Sequence, residues 1–388
     1  MVQSFWLALG LVVYTYVGYG ALMGLLARLR PPRPAPPDDF TPPVTLVIPA
    51  YNEAAVVAAK LENCRSLDYP RDKLALLFVT DGSTDGTAEM LAQVADVTLL
   101  HLPTRQGKPA AMNRALAHIA AHAPTPVTVF SDANTLLNPD ALRLLVRHFA
   151  DPDVGCVAGE KRVSAAVRAG ASAAGESLYW RYESTVKRWE SAVGNVMGAA
   201  GELFAIRTMW YVPLPEDTLI DDFVLSFKIA QQGKRLVYEP AAYGQEGASA
   251  SIGEEWKRKT RISAGGIQAI TRLAPLLNPR RYGFLSFQYI SHRVLRWTLT
   301  PVALLLLLPL NGLLAWRRGP IYRVLLAAQA LFYAAAWLGW RLETRRVRVK
   351  LLFAPFYFTL MQAAVFVGLW RFVRGRQDVR WERARRAE

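Results

Sequence analysis

Asp132-Ala133-Asn134 places a carboxylate and an amide two residues apart, directly after the apolar run Val127 to Ser131. Magnesium and manganese take oxygen ligands, commonly one or two carboxylates completed by phosphate oxygens and water, so this pair is chemically able to hold a metal diphosphate. The same tripeptide, standing alone, is more often a helix cap or a turn. Asp81-Gly82-Ser83, followed by Asp85-Gly86, likewise combines a candidate carboxylate with good turn chemistry. Gly107-Lys108 opens a helical stretch, where free backbone amides and an ammonium attract an anion, or it is a plain loop. Other chemistries drop out. There is no G-x-G-x-x-G after the first strand, and Arg105-Gln106-Gly107-Lys108-Pro109 lacks both the Ser/Thr and the earlier Gly of a Walker A loop. The five histidines show no metal-ligand spacing and no G-x-S-x-G elbow occurs, which removes zinc and hydrolase readings.

The elements that must position these residues alternate between short apolar runs and helical stretches from Thr45 to about Arg280. That alternation predicts an α/β fold with a mostly parallel sheet covered by helices. Strands are expected at Val44 to Ile48, Leu74 to Thr80, Val97 to Leu102, Val127 to Ser131 and Val154 to Ala158. Helices fit at Glu53 to Ser66, Thr84 to Val94, Lys108 to His122, Pro139 to Ala150 and Glu176 to Val193. In an open α/β sheet a ligand sits beyond the carboxyl ends of the strands. Those ends carry Tyr51-Asn52-Glu53, Asp81 and Asp132, a polar rim on an apolar sheet.

Of 388 residues, 52% are apolar and 20% charged, yet 46 Lys+Arg against 31 Asp+Glu leave a net charge of +15. Disorder is excluded, and the choice between a membrane protein and a nucleic-acid binder depends on where the charge sits. Phe5 to Ala27 is a 23-residue run without a charge, preceded by no basic residue and followed by Arg28, Arg30 and Arg33. It is long enough to span a bilayer and is expected to be an uncleaved anchor with its N-terminus outside. Uncharged runs of 19, 17 and 20 residues follow at Thr298 to Trp316, Val324 to Trp340 and Leu351 to Trp370. The basic excess gathers beside these spans, which speaks against nucleic acid. The connector Arg341 to Lys350, with five basic residues and one acid, belongs in the cytoplasm by the positive-inside rule. Four spans then place the tail from Arg371 outside although it carries seven arginines; either the last run is re-entrant or interfacial, or the charge rule fails there. Tyr282 to Trp297 reads as a helix in the interface or a packing helix in the cytosol. The expected organisation is an anchor at 1–30, a proline-rich linker at 31–43, the α/β domain at 44–280, an interfacial helix at 281–297, about three apolar segments at 298–371 and a basic tail at 372–388. Cys64 and Cys156 provide no disulfide framework, as expected of a reduced, cytosol-facing domain.

Taken in order, Tyr51-Asn52-Glu53, Asp81 to Thr87, Gly107-Lys108 with Asn113, Asp132-Ala133-Asn134, Gly198 to Arg207, Asp221-Asp222 and Arg258 to Arg261 resemble the family 2 glycosyltransferases. The resemblance is to the membrane-integrated branch of cellulose, hyaluronan and poly-N-acetylglucosamine synthases and covers about Thr45 to Trp297. It implies a GT-A fold, a UDP-sugar donor, a divalent cation (magnesium or manganese), and transfer with inversion to a polysaccharide or lipid acceptor at a cytoplasmic membrane face. By the same resemblance Tyr51, Glu53 and Asp81 receive the uridine, Asp132 and Asn134 contact the metal, and Asp222 is the general base. Asp221, Gly198 and Gly201 fall to the acceptor side, while Lys108, Arg258 and Arg261 offset charge on the departing diphosphate.

Two departures from the family are visible. Asn134 stands where the family has a second Asp, and Arg258-Lys259-Thr260-Arg261-Ile262 stands where the processive members have Gln-x-x-Arg-Trp. Trp256 and Trp297 are candidates to replace the missing acceptor-stacking Trp. Tyr179, Trp180, Tyr182 and Trp189 are either the lining of an acceptor path or core and interface residues at helical spacing. A non-catalytic membrane scaffold or translocation subunit is the competing class, and the sequence names no export partner.

Overall fold

The computed structural model describes residues 1–31, 33–164, 171–247, 251–345 and 349–378. In chain order, helix α1 (Val2–Leu29) leads through an extended linker to β1 (Val44–Ala50), α2 (Ala54–Arg65), β2 (Leu74–Asp81) and α3 (Thr87–Ala92). Then come β3 (Thr98–Leu102), α4 (Lys108–His122), β4 (Val127–Ser131), β5 (Leu136–Leu137) and α5 (Ala141–Val146). β6 (Val154–Ser164), α6 (Ala171–Val193), β7 (Leu203–Arg207), α7 (Asp221–Gln231), β8 (Arg235–Gly247) and α8 (Ile252–Arg272) complete the α/β part. After a helical segment from Phe284–Tyr289 (α9) that continues through a π turn to Trp297, the chain ends in α10 (Leu299–Arg317), α11 (Pro320–Thr344) and α12 (Lys350–Val373).

The sheet has the order β3-β2-β1-β4-β7-β6-β8-β5. Strands β3, β2, β1 and β4 are parallel, β7 is antiparallel to both neighbours, β6 and β8 are parallel, and β5 closes the far edge antiparallel to β8. The mostly parallel α/β sheet is as expected. Alternation along the central strands explains the two cores: Leu46, Ile48 and Phe78 face one cluster, Val47, Leu77 and Val79 the other. A sheet buried on both faces is largely apolar at successive positions, and the threonines within these strands, Thr45 and Thr80, are themselves buried.

Among the described residues, four helices are long and apolar enough to cross a membrane: Val2–Leu29, Leu299–Arg317, Pro320–Glu343 and Leu351–Val373. Each coincides with one of the uncharged runs to within a few residues at its ends, Thr298 standing just before its helix. α1 docks on α6 because Gly20 and Gly24 leave room for rings: a Cβ at Gly20 would lie 3.3 Å from the Tyr182 hydroxyl, and one at Gly24 3.2 Å from Trp189. Close helix approach over small residues is a recurrent membrane packing mode. Tyr182 and Trp189 are therefore packing residues, while the side chains of Tyr179 and Trp180 lie outside the described residues. The segment after α9 is tied in by buried polar contacts. His292 Nδ1 lies 2.5 Å from Glu190, which also accepts from Tyr19 Oη at 2.6 Å, and Arg296 pairs with Glu183. The last helix, α12, lies along α8: a Cβ at Gly368 would meet the Ala264 nitrogen at 2.7 Å, and Tyr357 donates to Glu255 at 2.7 Å. The basic tail from 379 onward and residues 346–348 of the basic connector lie outside the described residues.

Candidate active site

At the carboxyl edge of β1, the Tyr51-Asn52-Glu53 turn is clamped to the loop after β2. Asn52 has φ 54°, and among the described residues no other non-glycine has a positive φ. Asparagine tolerates this region because its short side chain bonds locally: here Oδ1 accepts from Thr84 N at 2.8 Å, while Asn52 N donates to Ser83 Oγ at 3.2 Å. Glu53 N donates to Thr87 Oγ1 at 2.9 Å, and Ala54 N to Asp85 Oδ2 at 3.0 Å. The Arg105 guanidinium lies 3.6 Å above the Tyr51 ring. Asp81 holds the loop that carries Lys108. Its Oδ2 accepts from Gln106 N at 2.9 Å and Gly107 N at 2.6 Å, and its Oδ1 from Arg114 at 2.8 Å. Gly82, at φ +72°, is required here, because a Cβ would come within 2.7 Å of the Arg105 nitrogen.

Lys108 is the centre of the cluster. Its Nζ is 2.6 Å from Asp132 Oδ1 and 3.7 Å from Asp221 Oδ2. A Cβ at Gly201 would sit 3.2 Å from that Nζ and 3.6 Å from Asp222 Oδ2, so Gly201 leaves open the space above both groups. Burial opposes the Lys108 charge, but Asp132 and Asp221 outweigh it and hold the ammonium above its ordinary range. Burial, reinforced by neighbouring Asp221, pushes the Asp222 carboxyl up to about 7. Asp132 is raised by burial in spite of Lys108. A carboxylate poised near neutrality suits a general base, because it is available at working pH and still basic enough to accept a proton.

Of the other sequence candidates, Arg261 is half-buried, donates to the Leu219 carbonyl at 3.4 Å and is lowered by desolvation against the pull of Asp221 and Asp222. Arg258 forms a two-bond pair with Glu255 at 2.9 and 3.0 Å one turn earlier on α8. Gly198, at φ +101°, faces Phe223, where a Cβ would meet the ring at 2.5 Å, so it shapes the loop beside Asp222. Trp297 packs on Gly266 and Phe223, behind the cluster. Asp132 and Asn134 lie on one turn, closed by Thr135 N donating to Asp132 O at 3.2 Å. No group of three or more His, Cys, Asp or Glu among the described residues forms a protein-only metal cage. One carboxylate and one amide oxygen instead fit a hard divalent ion that takes its remaining ligands from a diphosphate and water.

Sequence reasoning missed the support beneath that turn. Lys60 is fully buried and donates to Ser131 Oγ at 2.8 Å and the Thr135 carbonyl at 2.6 Å. Thr135 Oγ1 donates to Glu246 at 2.7 Å, Glu246 pairs with Lys161 at 2.9 Å, and Lys161 reaches Glu202, next to Gly201. One network thus joins the Asp132 turn to the Gly201 loop. Lys60→Met removes both donors from the turn. The expected result is a folded protein needing about tenfold more divalent ion for half-maximal activity, the usual scale when support for a ligand is lost; a manganese titration of the variant checks it.

The chain is similar to known glycosyltransferases. Residues 42–265 match the family described as glycosyltransferase like family 2. The poly-beta-1,6-N-acetyl-D-glucosamine synthase of Staphylococcus aureus (strain COL) is 26% identical over 239 residues, covering 59% of this chain and 56% of the relative. That of Staphylococcus epidermidis is 27% identical over 241 residues with the same coverages. The chain thus spans little more than half the length of these curated relatives. Among solved structures, a mannosyltransferase from Pyrobaculum calidifontis in complex with GDP-Man and Mn2+ is similar with a TM-score of 0.70 at 25% identity, over 95% of this chain and 99% of that one. With the family match extending over more than half of its residues, and with a GT-A-like sheet and four helices long and apolar enough to cross a membrane among the described residues, this chain belongs to the glycosyltransferase-like family 2.

Proposed function

We propose that this protein is a membrane-bound inverting glycosyltransferase that moves a sugar from a UDP-sugar, UDP-N-acetylglucosamine or UDP-glucose, to a hydroxyl of a growing polysaccharide. The single observation that carries this reading is the convergence of Lys108, Asp132, Asp221 and Asp222 at the carboxyl edge of the sheet. Asp222 takes the proton of the acceptor hydroxyl, the oxygen attacks the anomeric carbon from the face opposite the diphosphate, and the bond to the diphosphate oxygen breaks. Lys108 and Arg261 offset the charge that develops on the leaving group, and fixed cations aimed at such charge are usually the largest catalytic term. Arg258 contributes from the next turn of α8. Asp132 and Asn134 would hold a divalent cation, which supplies Lewis-acid stabilisation of the diphosphate when bound. Tyr51, Glu53 and Asp81 form the nucleoside end, where Asp81 already accepts three protein hydrogen bonds. Gly201 leaves the acceptor its space and Gly198 shapes the adjoining loop.

The four spans, the basic connector and the two free, buried cysteines support an inner-membrane protein with its catalytic domain in the cytoplasm. The names of the staphylococcal relatives favour N-acetylglucosamine as the sugar. Purified full-length protein is expected to release UDP from a UDP-sugar in manganese or magnesium. Release of no nucleotide from any UDP-sugar overturns the donor, and release of GDP from GDP-mannose alone transfers the assignment to a guanosine donor.

A further inference from the structure

Glu190, near the end of α6, is fully buried and is held by three separate parts of the chain. Its Oε1 accepts from Tyr19 Oη of α1 at 2.6 Å and lies 2.5 Å from His292 Nδ1, while its Oε2 accepts from the Met197 amide at 3.2 Å. The Met197 carbonyl in turn accepts from Arg293 Nε at 2.8 Å. Both backbone polar groups of this one residue are thus bonded to side chains of the buried ionic cluster behind the site. Met197 opens the stretch of loop that ends at Gly201, above Lys108 and Asp222. The loop has little freedom of its own on either side of Met197. Before it, Gln288 of α9 makes two hydrogen bonds with the Asn195 backbone, both 3.2 Å. After it, Ala199 N donates at 3.2 Å to the Oγ of Ser226, which lies one turn along α7 from Asp222. A displacement at Met197 is therefore carried forward, through Gly198 against the Phe223 ring, to the space above Lys108 and Asp222.

A carboxylate shut away from water needs its lone pairs filled, and a fully satisfied buried network specifies a single arrangement. One of the three groups bonded to Glu190, the Tyr19 hydroxyl, comes from α1, a helix long and apolar enough to cross a membrane. A second bond between α1 and α6 runs from Tyr182 Oη to the Tyr16 carbonyl at 2.7 Å, but it lies about two turns of α6 before Glu190 and ends on α1 itself. We propose that Tyr19 and Glu190 are positioning residues for the transfer step: α1 sets, through the Glu190 carboxylate, where the loop from Met197 to Gly201 stands over Lys108 and Asp222. The first membrane helix is then part of the catalytic machinery as well as an anchor. This rests on the glycosyltransferase reading and adds residues to its site. With the Tyr19 hydroxyl gone, Oε1 keeps the His292 imidazole alone, the carboxylate gains freedom to turn, and the Met197 amide loses its fixed acceptor. A misplacement of about 1 Å far from the chemistry is enough to cost up to about 10²-fold in rate.

The test uses the full chain in detergent, with UDP-N-acetylglucosamine and manganese as the probe. Tyr19→Phe removes one oxygen and keeps the ring packed. It is expected to lower kcat for UDP release about tenfold, while the KM for the nucleotide sugar and the affinity for UDP stay within about twofold. Glu190→Gln is expected to cost about 30-fold, because a single amide oxygen cannot serve both Tyr19 and Met197. Since the hydroxyl acts through the carboxylate, the double variant should be no slower than Glu190→Gln alone, a non-additivity that independent sites do not show. Tyr182→Phe removes the other bond to α1 and is expected to keep the native kcat. Backbone amide hydrogen exchange adds a readout without turnover: in Tyr19→Phe the segment from Asn195 to Gly201 should exchange about fivefold faster, with β1 and β4 unchanged. An equal loss of kcat in Tyr182→Phe makes Tyr19 a docking residue only, and native kcat or native exchange in Tyr19→Phe shows that the loop is set elsewhere; any of these overturns the proposal. The exchange needs no sugar donor, so a failure of the UDP-sugar assignment is seen separately.

Discussion

Asp222→Asn is expected to lower turnover by about 10³-fold, within the range general bases contribute, while UDP binds as before. The amide keeps the size and most of the hydrogen bonding of the carboxyl but cannot take a proton. Nucleotide release and UDP titration calorimetry on the same preparation separate the two effects. Stability provides an independent readout. Because burial and Asp221 push the carboxyl up to about 7, the folded state binds a proton that the unfolded chain has already released above the ordinary carboxylate range. The folded state therefore loses stability as pH rises from about 4 to about 7, and above that the full cost of the buried charge is present. Asp222→Asn removes that cost, so the variant is expected to melt higher than the native chain at pH 8 and to differ little at pH 4. An acid that merely capped α7 would show the reverse, since removing a capping carboxylate destabilises a helix.

Lys108→Gln carries the second large effect. The ammonium is the one group that both touches Asp132 at 2.6 Å and stands 3.7 Å from Asp221. Without it the buried Asp221 and the half-buried Asp132 and Asp222 share the site with less compensation, and the cation proposed to meet the leaving diphosphate is gone. Turnover is expected to fall by about 10²–10³-fold, the cost of deleting one well-placed stabiliser of transition-state charge. The diagnostic consequence concerns Asp222, because Lys108 is the neighbour that holds its pKa down against burial and Asp221. In the variant the activity that remains should rise with pH only at a value above that of the native chain. A purely structural lysine would lower activity evenly at all pH values.

The two parts of the molecule were legible in the sequence to different degrees, for physical reasons. β1, β2 and β4 sit between two helical layers, so most of their successive positions are apolar and the runs stand out. α4 was found at its observed ends because Lys108-Pro109 starts it and Ala123 begins the next loop. β7 and β8 were not found. Leu203–Arg207 is only five residues after a glycine-rich loop, and Arg235–Gly247 mixes Glu239, Pro240, Gly244 and Glu246 into the strand. β8 is stabilised by its pairing with β6 and not by its own pattern. The residues at the strand ends could be located from the rule that ligands of open α/β sheets sit beyond the carboxyl ends of the strands, and Asp222 from its place in an ordered motif set. What brings Asp132 and Gly201 together was hidden, since Lys161, Glu202 and Glu246 come from three separate strands or loops and leave no local spacing. Lys60 did leave a trace. Val57, Lys60, Leu61 and Cys64 occupy one buried face of α2, and a lysine in an apolar stripe at that spacing needs a polar partner inside.

The measurement that bears most directly on the central claim is the pH dependence of kcat/KM for nucleotide release by the native chain, from about pH 5 to pH 9, because it reports the essential base of the free enzyme. A buried Asp222 acting as that base predicts activity that rises with pH through a midpoint of about 7. A flat profile, or a rise centred near the ordinary carboxylate range of about 4, would contradict it.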